Sequence, residues 1–251
     1  MSDVTCRRPI AWNSFALTDV GCVRKVNEDS LIDVTEKNIW AVADGMGGHQ
    51  VGDVASQKVI EQISYVKSFD RIADQTDALE DALLTSNFEL RDYAKNALNN
   101  QTLGTTAVCF FIKNNVGVCL WIGDSRLYRM RGKSLQRLTR DHSQVEEMVR
   151  QGLISSEEAE THELKNVITR AVGVEDQIYI DINVFSVQLG DSFLLCSDGL
   201  YNAVPANVIE SHLISRDIAE AGNGLMQAAL DAGAKDNVSL IVIKGEPGKI
   251  R

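Results

Sequence analysis

With 251 residues, 44% of them hydrophobic and 24% charged, the chain can bury a sizeable core without disulfide staples, and its composition is neither disordered nor fibrous. A net charge of −10 and a pI of about 4.9 exclude the basic footprint that non-specific nucleic-acid binding needs. No apolar run spans a bilayer, the five cysteines form no CxxC pair, and Arg7-Arg8 has no apolar stretch behind it. The expectation is a single domain over 1–251, cytoplasmic, monomeric, with reduced cysteines and no membrane or nucleic-acid partner.

In chain order, residues 12–20 mix apolar and polar positions as a strand does. The polar cluster Arg24-Lys25-Val26-Asn27-Glu28-Asp29 separates it from a second strand, 30–34. Residues 39–43 read as a third, apolar enough to be buried on both faces, which delivers Asp44 into the turn Gly45-Met46-Gly47-Gly48-His49. The period then changes. Ala55, Val59, Ile63 and Val66 form one helical stripe, and Leu79, Leu83, Leu90, Ala94 and Ala97 form another in a helix from about 77 to 98, closed by Asn99-Asn100.

Residues 105–112 and 117–122 make a hairpin about Asn114-Asn115. Gly123-Asp124-Ser125 interrupts the pattern, and 126–130 continue as another strand. Residues 140–164 turn polar and charged, with helical spacing at Val145, Met148 and Val149, and read as a peripheral excursion. Strands follow at 178–187 and 192–196, the second running into Ser197-Asp198-Gly199. Two helices at about 205–214 and 218–232 precede Asp236-Asn237 and a last strand, 238–243.

Asp44-Gly45, Gly123-Asp124, Asp198-Gly199 and Asp236-Asn237 each set an acid beside an apolar strand. One such pair is an ordinary turn, but four invite a common purpose. Carboxylate oxygens without histidine or thiolate partners select hard cations, magnesium or manganese before zinc or copper. Two ions sharing a carboxylate activate water and clamp the oxygens of a phosphoryl group in displacement.

The ordered series Arg24-x-x-Asn27-Glu28-Asp29, Asp44-Gly45-Met46-Gly47-Gly48-His49, Gly104-Thr105-Thr106, Gly123-Asp124-Ser125-Arg126, Asp141-His142-Ser143, Ile168-Thr169-Arg170-Ala171, Ser197-Asp198-Gly199-Leu200 and Asp236-Asn237 resembles the metal-dependent protein serine/threonine phosphatases of the PP2C (PPM) family, in their bacterial single-domain form. The resemblance runs from about residue 12 to 243. It implies an α+β fold, a four-layer α-β-β-α sandwich of two antiparallel sheets packed face to face with helix pairs outside. It implies hydrolysis of phosphoserine and phosphothreonine in proteins by a metal-bridged hydroxide, with two or three Mn2+ or Mg2+ ions.

Carried over residue by residue, Asp44 is implied to bridge two metals, with the Gly45 carbonyl on one and Asp198 and Asp236 on the other. Asp124, with Asp198, matches a third metal position, and Glu28 an acid acting through water. Arg24 matches the arginine that grips substrate phosphate; a surface salt bridge is the plainer alternative. His49 either protonates the leaving oxygen or orders the loop or a water. His142 is expected to pack or cap, and residues 140–165 to correspond to the family's flap. Phosphorylated proteins, and by analogy a serine/threonine kinase and its targets, are the implied partners. Two other readings stand beside this one: a catalytically inactive phosphoprotein-binding module of the same fold, and an aspartate-nucleophile phosphatase, whose Asp-x-Asp signature is absent after the first strand.

Overall fold

Inside-outside alternation and turn chemistry build two stacked sheets, seen in a computed structural model that describes residues 9–47, 51–99, 102–215 and 217–248. The first sheet contains β2 (Asp29–Val34), β3 (Ile39–Gly47), β4 (Leu103–Thr105), β5 (Ala107–Lys113), β6 (Val116–Ile122) and β9 (Asp181–Ser186), in the order β2-β3-β5-β6-β9 with β4 on β3. The second has the order β1-β11-β10-β7-β8, from β1 (Ile10–Asp19), β7 (Arg126–Arg131), β8 (Ser134–Arg137), β10 (Ser192–Cys196) and β11 (Val238–Pro247). Every strand pairing is antiparallel.

The sheets meet through a core of Trp12, Phe193, Leu195 and Ile241 from one and Trp40, Val108, Phe110 and Trp121 from the other. Phe110 and Phe193 pack with centroids 4.8 Å apart, a contact worth about 0.5–1.5 kcal/mol beyond its buried area. Outside the first sheet lie α1 (Gly52–Ser64) and α2 (Ile72–Ala97), whose stripes Ala55, Val59, Ile63 and Leu79, Leu83, Leu90 bury against Ala41, Cys109 and Leu120. Outside the second lie α5 (Asp198–Ala203), α6 (Ala206–Leu213) and α7 (Ile218–Asp231), packed through Leu200, Ile209, Leu225 and Ala229. The expected four layers are present. No helix among the described residues is long and apolar enough to cross a membrane.

Local departures have local causes. α2 begins at Ile72, not near 77, because Ile72 packs on the core and Gln75 is buried although no side chain caps the start. Its stripe ends at Ala94 and passes to Leu98, leaving Ala97 exposed. The turn at Asn114-Asn115 holds both residues at positive φ, 50° and 62°, the primed geometry that suits a two-residue hairpin. Strand β9 is shorter than expected because Ile178 and Ile180 pack on the core before the ladder begins. Strand β11 runs on to Pro247 because β1 pairs along its whole length. Within the excursion, α3 (Gln144–Arg150) and α4 (Ser156–Thr161) are capped by Ser143 and Ser155.

Candidate metal centre and its neighbours

Strand β3 does not end at Asp44. It changes partner there: Ile39 to Val42 pair with β5, whereas Gly45 to Gly47 pair with β4. The expected turn after Ala43 is therefore a continuing strand as far as Gly47. At the changeover, the Asp44 amide donates to Thr106 Oγ1 (3.1 Å), and its carbonyl accepts from Thr106 N (2.9 Å) and Thr105 Oγ1 (2.9 Å). The backbone is thus pinned, and the carboxylate is offered to the interior.

Gly45 is required by close approach. A Cβ there would lie 2.0 Å from the Gly52 carbonyl oxygen and 2.5 Å from that of Glu28. Gly45 N donates to that Glu28 carbonyl at 3.1 Å, which brings the Arg24–Glu28 loop against β3. Glu28 Oε1 accepts from Gly52 N at 3.2 Å, at the start of α1.

Around Asp44 stand three other largely buried acids. Asp29 is its cross-strand partner in β2. Asp198 opens α5, a short helix that the sequence reading passes over in treating Asp198 as a strand end. Asp124 lies on the crossover by which the chain leaves β6 in the first sheet for β7 in the second, so the expected interruption is a change of sheet. The Asp44 carboxyl lies near enough to Asp29 and Asp198 for their charges to act on it.

Burial, reinforced by like charge, raises all four from the ordinary carboxylate range. Asp29 and Asp124 are pushed to about 6, Asp198 to about 8, and Asp44 well above its usual value. The charges acting most strongly on Asp44 are those of other aspartates. Among the described residues no three His, Cys, Asp or Glu side chains form a finished metal cage as placed. An all-oxygen donor set this buried, this acidic and this short of positive charge nonetheless suits a hard divalent cation.

Asp236 lies at the rim, at the approach to β11, where Arg24 Nη2 donates to its Oδ2 at 2.7 Å with both side chains partly exposed. Arg24 is held in its charged form first by this hydrogen bond. Arg24 thus makes a surface salt bridge, the plainer alternative for this residue, with Asp236 as its partner. Asn237, buried beside Asp236, accepts from Glu28 N (2.8 Å) and donates to the carbonyls of Val20 (2.9 Å) and Val26 (3.0 Å), so it clamps the loop that carries Arg24.

The fold therefore brings Asp44, Gly45, Asp124, Asp198, Asp236, Glu28 and Arg24 into one region, whereas His49 lies outside the described residues. Sequence reasoning overlooks Asp29, although pairing its strand antiparallel to that of Asp44 sets the two acids opposite each other. It also overlooks Ser197, whose Oγ donates to Asp29 Oδ2 at 2.8 Å. His142 packs as expected: buried, stacked on Trp121, with Nδ1 accepting from Gly123 N at 3.1 Å. Cys109, Cys119 and Cys196 are buried free thiols, as expected, whereas Cys22 is exposed and Cys6 lies outside the described residues.

A family model described as protein phosphatase 2C matches residues 24–232. The serine/threonine phosphatase Stp of Listeria monocytogenes is 35% identical over 235 residues, covering 90% of this chain and 93% of that one. The structure of PppA, a regulatory component of the type VI secretion system in Pseudomonas aeruginosa, superposes with a TM-score of 0.85 at 36% identity, covering 93% of this chain and 97% of that one. The catalytic domain of the serine/threonine protein phosphatase PstP, solved with two manganese ions, superposes with a TM-score of 0.86 at 31% identity, covering 95% and 100%. On the family match, these relatives and the shared two-sheet architecture, the chain belongs to the protein phosphatase 2C family.

Proposed function

We propose that this chain hydrolyses phosphoserine and phosphothreonine in proteins, using two manganese or magnesium ions and a third where Asp124 takes part. The observation that carries the reading is the group Asp29, Asp44, Asp124 and Asp198, two buried and two half-buried, in which the strongest charges on Asp44 and Asp198 are those of other aspartates. Asp44 would be shared by two ions, with the Gly45 carbonyl helping to hold one and Asp198 and Asp236 the other. Asp124 joins Asp198 at the third, and Glu28 acts through water. When bound, such ions activate water and neutralise the phosphate oxygens.

The remaining work falls to the chain. Arg24 leaves Asp236 and forks onto the phosphate, a task for which a planar guanidinium is shaped. Asn237 keeps the Arg24 loop in reach. Residues 140–165 border the site through Asp141 and His142 and act as the substrate-selecting flap. The substrates are those of a serine/threonine kinase, and the buried free thiols suit a reducing cytoplasm.

The test is manganese-dependent turnover of p-nitrophenyl phosphate and of a phosphothreonine peptide, abolished by chelator. Asp44→Asn and Asp198→Asn should fold and lose activity. Folded wild-type protein that turns over neither substrate with metal supplied would overturn the enzyme reading.

A further inference from the structure

Tyr201 reaches Asp124 from α5, three residues after Asp198. Its hydroxyl is shared between the Asp124 carbonyl oxygen, at 3.1 Å, and the carboxylate Oδ2, at 3.2 Å. One donor on two acceptors of a single residue fixes the backbone and the carboxylate together. The ring is held in turn: the Arg126 guanidinium carbon lies 3.5 Å from its centroid. Arg126 is itself gripped by Asp141, through Nε at 3.1 Å to both carboxylate oxygens and Nη2 at 2.6 Å to Oδ2. Its Nη1 donates to Tyr128 OH at 2.9 Å. Asp124 and Asp141 are both buried. The hydroxyl thus joins the β6–β7 crossover to the helix that begins with Asp198.

We propose that Tyr201 is a positioning residue that holds Asp124 in the orientation needed to share a divalent cation with Asp198, while Arg126 and Asp141 clamp the Tyr201 ring for that task. The proposal rests on the assignment of Asp124 to a metal. Carboxylates that bind metals are aimed by the hydrogen bonds on their other oxygens, and loss of such a partner weakens affinity roughly 10–100-fold. Nothing in this role requires Tyr201 to touch substrate.

The experiment is calorimetric titration of the metal-free full chain with Mn2+, for wild type, Asp124→Asn, Tyr201→Phe and the double variant. Tyr201→Phe keeps the ring over Arg126 and removes only the hydroxyl. Asp124→Asn should delete one class of Mn2+ sites. Tyr201→Phe should weaken that same class roughly 10–100-fold and spare the others, and should change nothing further in the Asp124→Asn background. Tyr201→Leu, lacking ring and hydroxyl, should match Tyr201→Phe in the titration but melt at a lower temperature. A Tyr201→Phe titration identical to wild type, with the class still lost in Asp124→Asn, overturns the role of Tyr201 and leaves the assignment of Asp124 standing. An unchanged Asp124→Asn titration removes both together. Equal weakening of every class, or an added loss in the double variant, marks general loosening and also overturns the proposal.

Discussion

Asp29 stands directly opposite Asp44 in the β2–β3 register, and its charge adds to burial in raising the proton affinity of Asp44. Like charges across an antiparallel pair destabilise a sheet, and burial compounds the cost. This arrangement is therefore a liability for the fold.

That liability sets a pH dependence. Asp29 and Asp124 rise from 3.8 to about 6 and Asp198 from 3.8 to about 8 on folding. The folded chain then holds more protons than the unfolded one across this interval, so stability is greatest below about pH 4 for these groups and is lost as pH rises through 6 to 8. With chelator present, the melting temperature should fall between pH 5 and 8. Asp198→Asn should flatten that fall and stabilise the fold at pH 8 by on the order of a few kcal/mol, read as a raised melting temperature. A wild-type melting temperature that climbs over the same range, with Asp198→Asn running parallel, contradicts the assignment.

Arg24 faces a choice between Asp236 and a phosphate ester. Because the ion pair with Asp236 is half exposed, its contribution to stability is small, at most about 1 kcal/mol. Arg24→Ala should leave the melting temperature nearly unchanged and raise KM for a phosphopeptide by roughly tenfold, with kcat less affected. Steady-state kinetics at fixed Mn2+ measure both, and an unchanged KM would remove Arg24 from substrate binding.

The elements were legible because their signals are local and periodic, as Ala55, Val59 and Ile63 mark α1 and Asn114-Asn115 marks a hairpin; their stacking into four layers came only with the family resemblance, since the pattern alone also suits an open α/β sheet. The acids proposed to hold metal were legible through ordered short motifs, which bring the family with them. Asp29 was not, since its carboxylate is enclosed by Ser197, 168 residues away, and its own neighbours, Glu28 and Ser30, are polar. Neither was α5, whose residues Asp198-Gly199-Leu200-Tyr201-Asn202-Ala203 are too few to show a helical period. The change of sheet at Asp124 was hidden for a related reason: a chain that leaves one strand and enters another looks alike whether or not the sheet is the same.

Asn237 supplies three hydrogen bonds to the Val20–Glu28 stretch from a buried position. Asn237→Ala leaves the Glu28 amide and two carbonyls without that partner. The expected cost is about 2–4 kcal/mol, read by urea denaturation. Because the loosened loop carries Arg24, KM should rise together with the loss of stability, which Arg24→Ala alone does not produce.

Gly199 shows how the backbone pays for bringing the acids together. A Cβ on this residue would lie 1.9 Å from the Asn237 carbonyl oxygen and 2.9 Å from its carbonyl carbon, both backbone atoms with no rotamer to move aside. Gly199 follows Asp198 and Asn237 follows Asp236, so this contact fixes the separation of two proposed ligands. Gly199→Ala should push the start of α5 from the approach to β11, costing at least about 1–3 kcal/mol and lowering Mn2+ affinity in the fraction that folds. Ser211→Ala is the control: it loses a hydrogen bond to the Val208 carbonyl on an exposed face of α6, so it should alter neither. Thermal melts and Mn2+ titration of the two variants make the comparison, and a Gly199→Ala protein with wild-type stability and affinity would mean that the two strand ends can separate without cost.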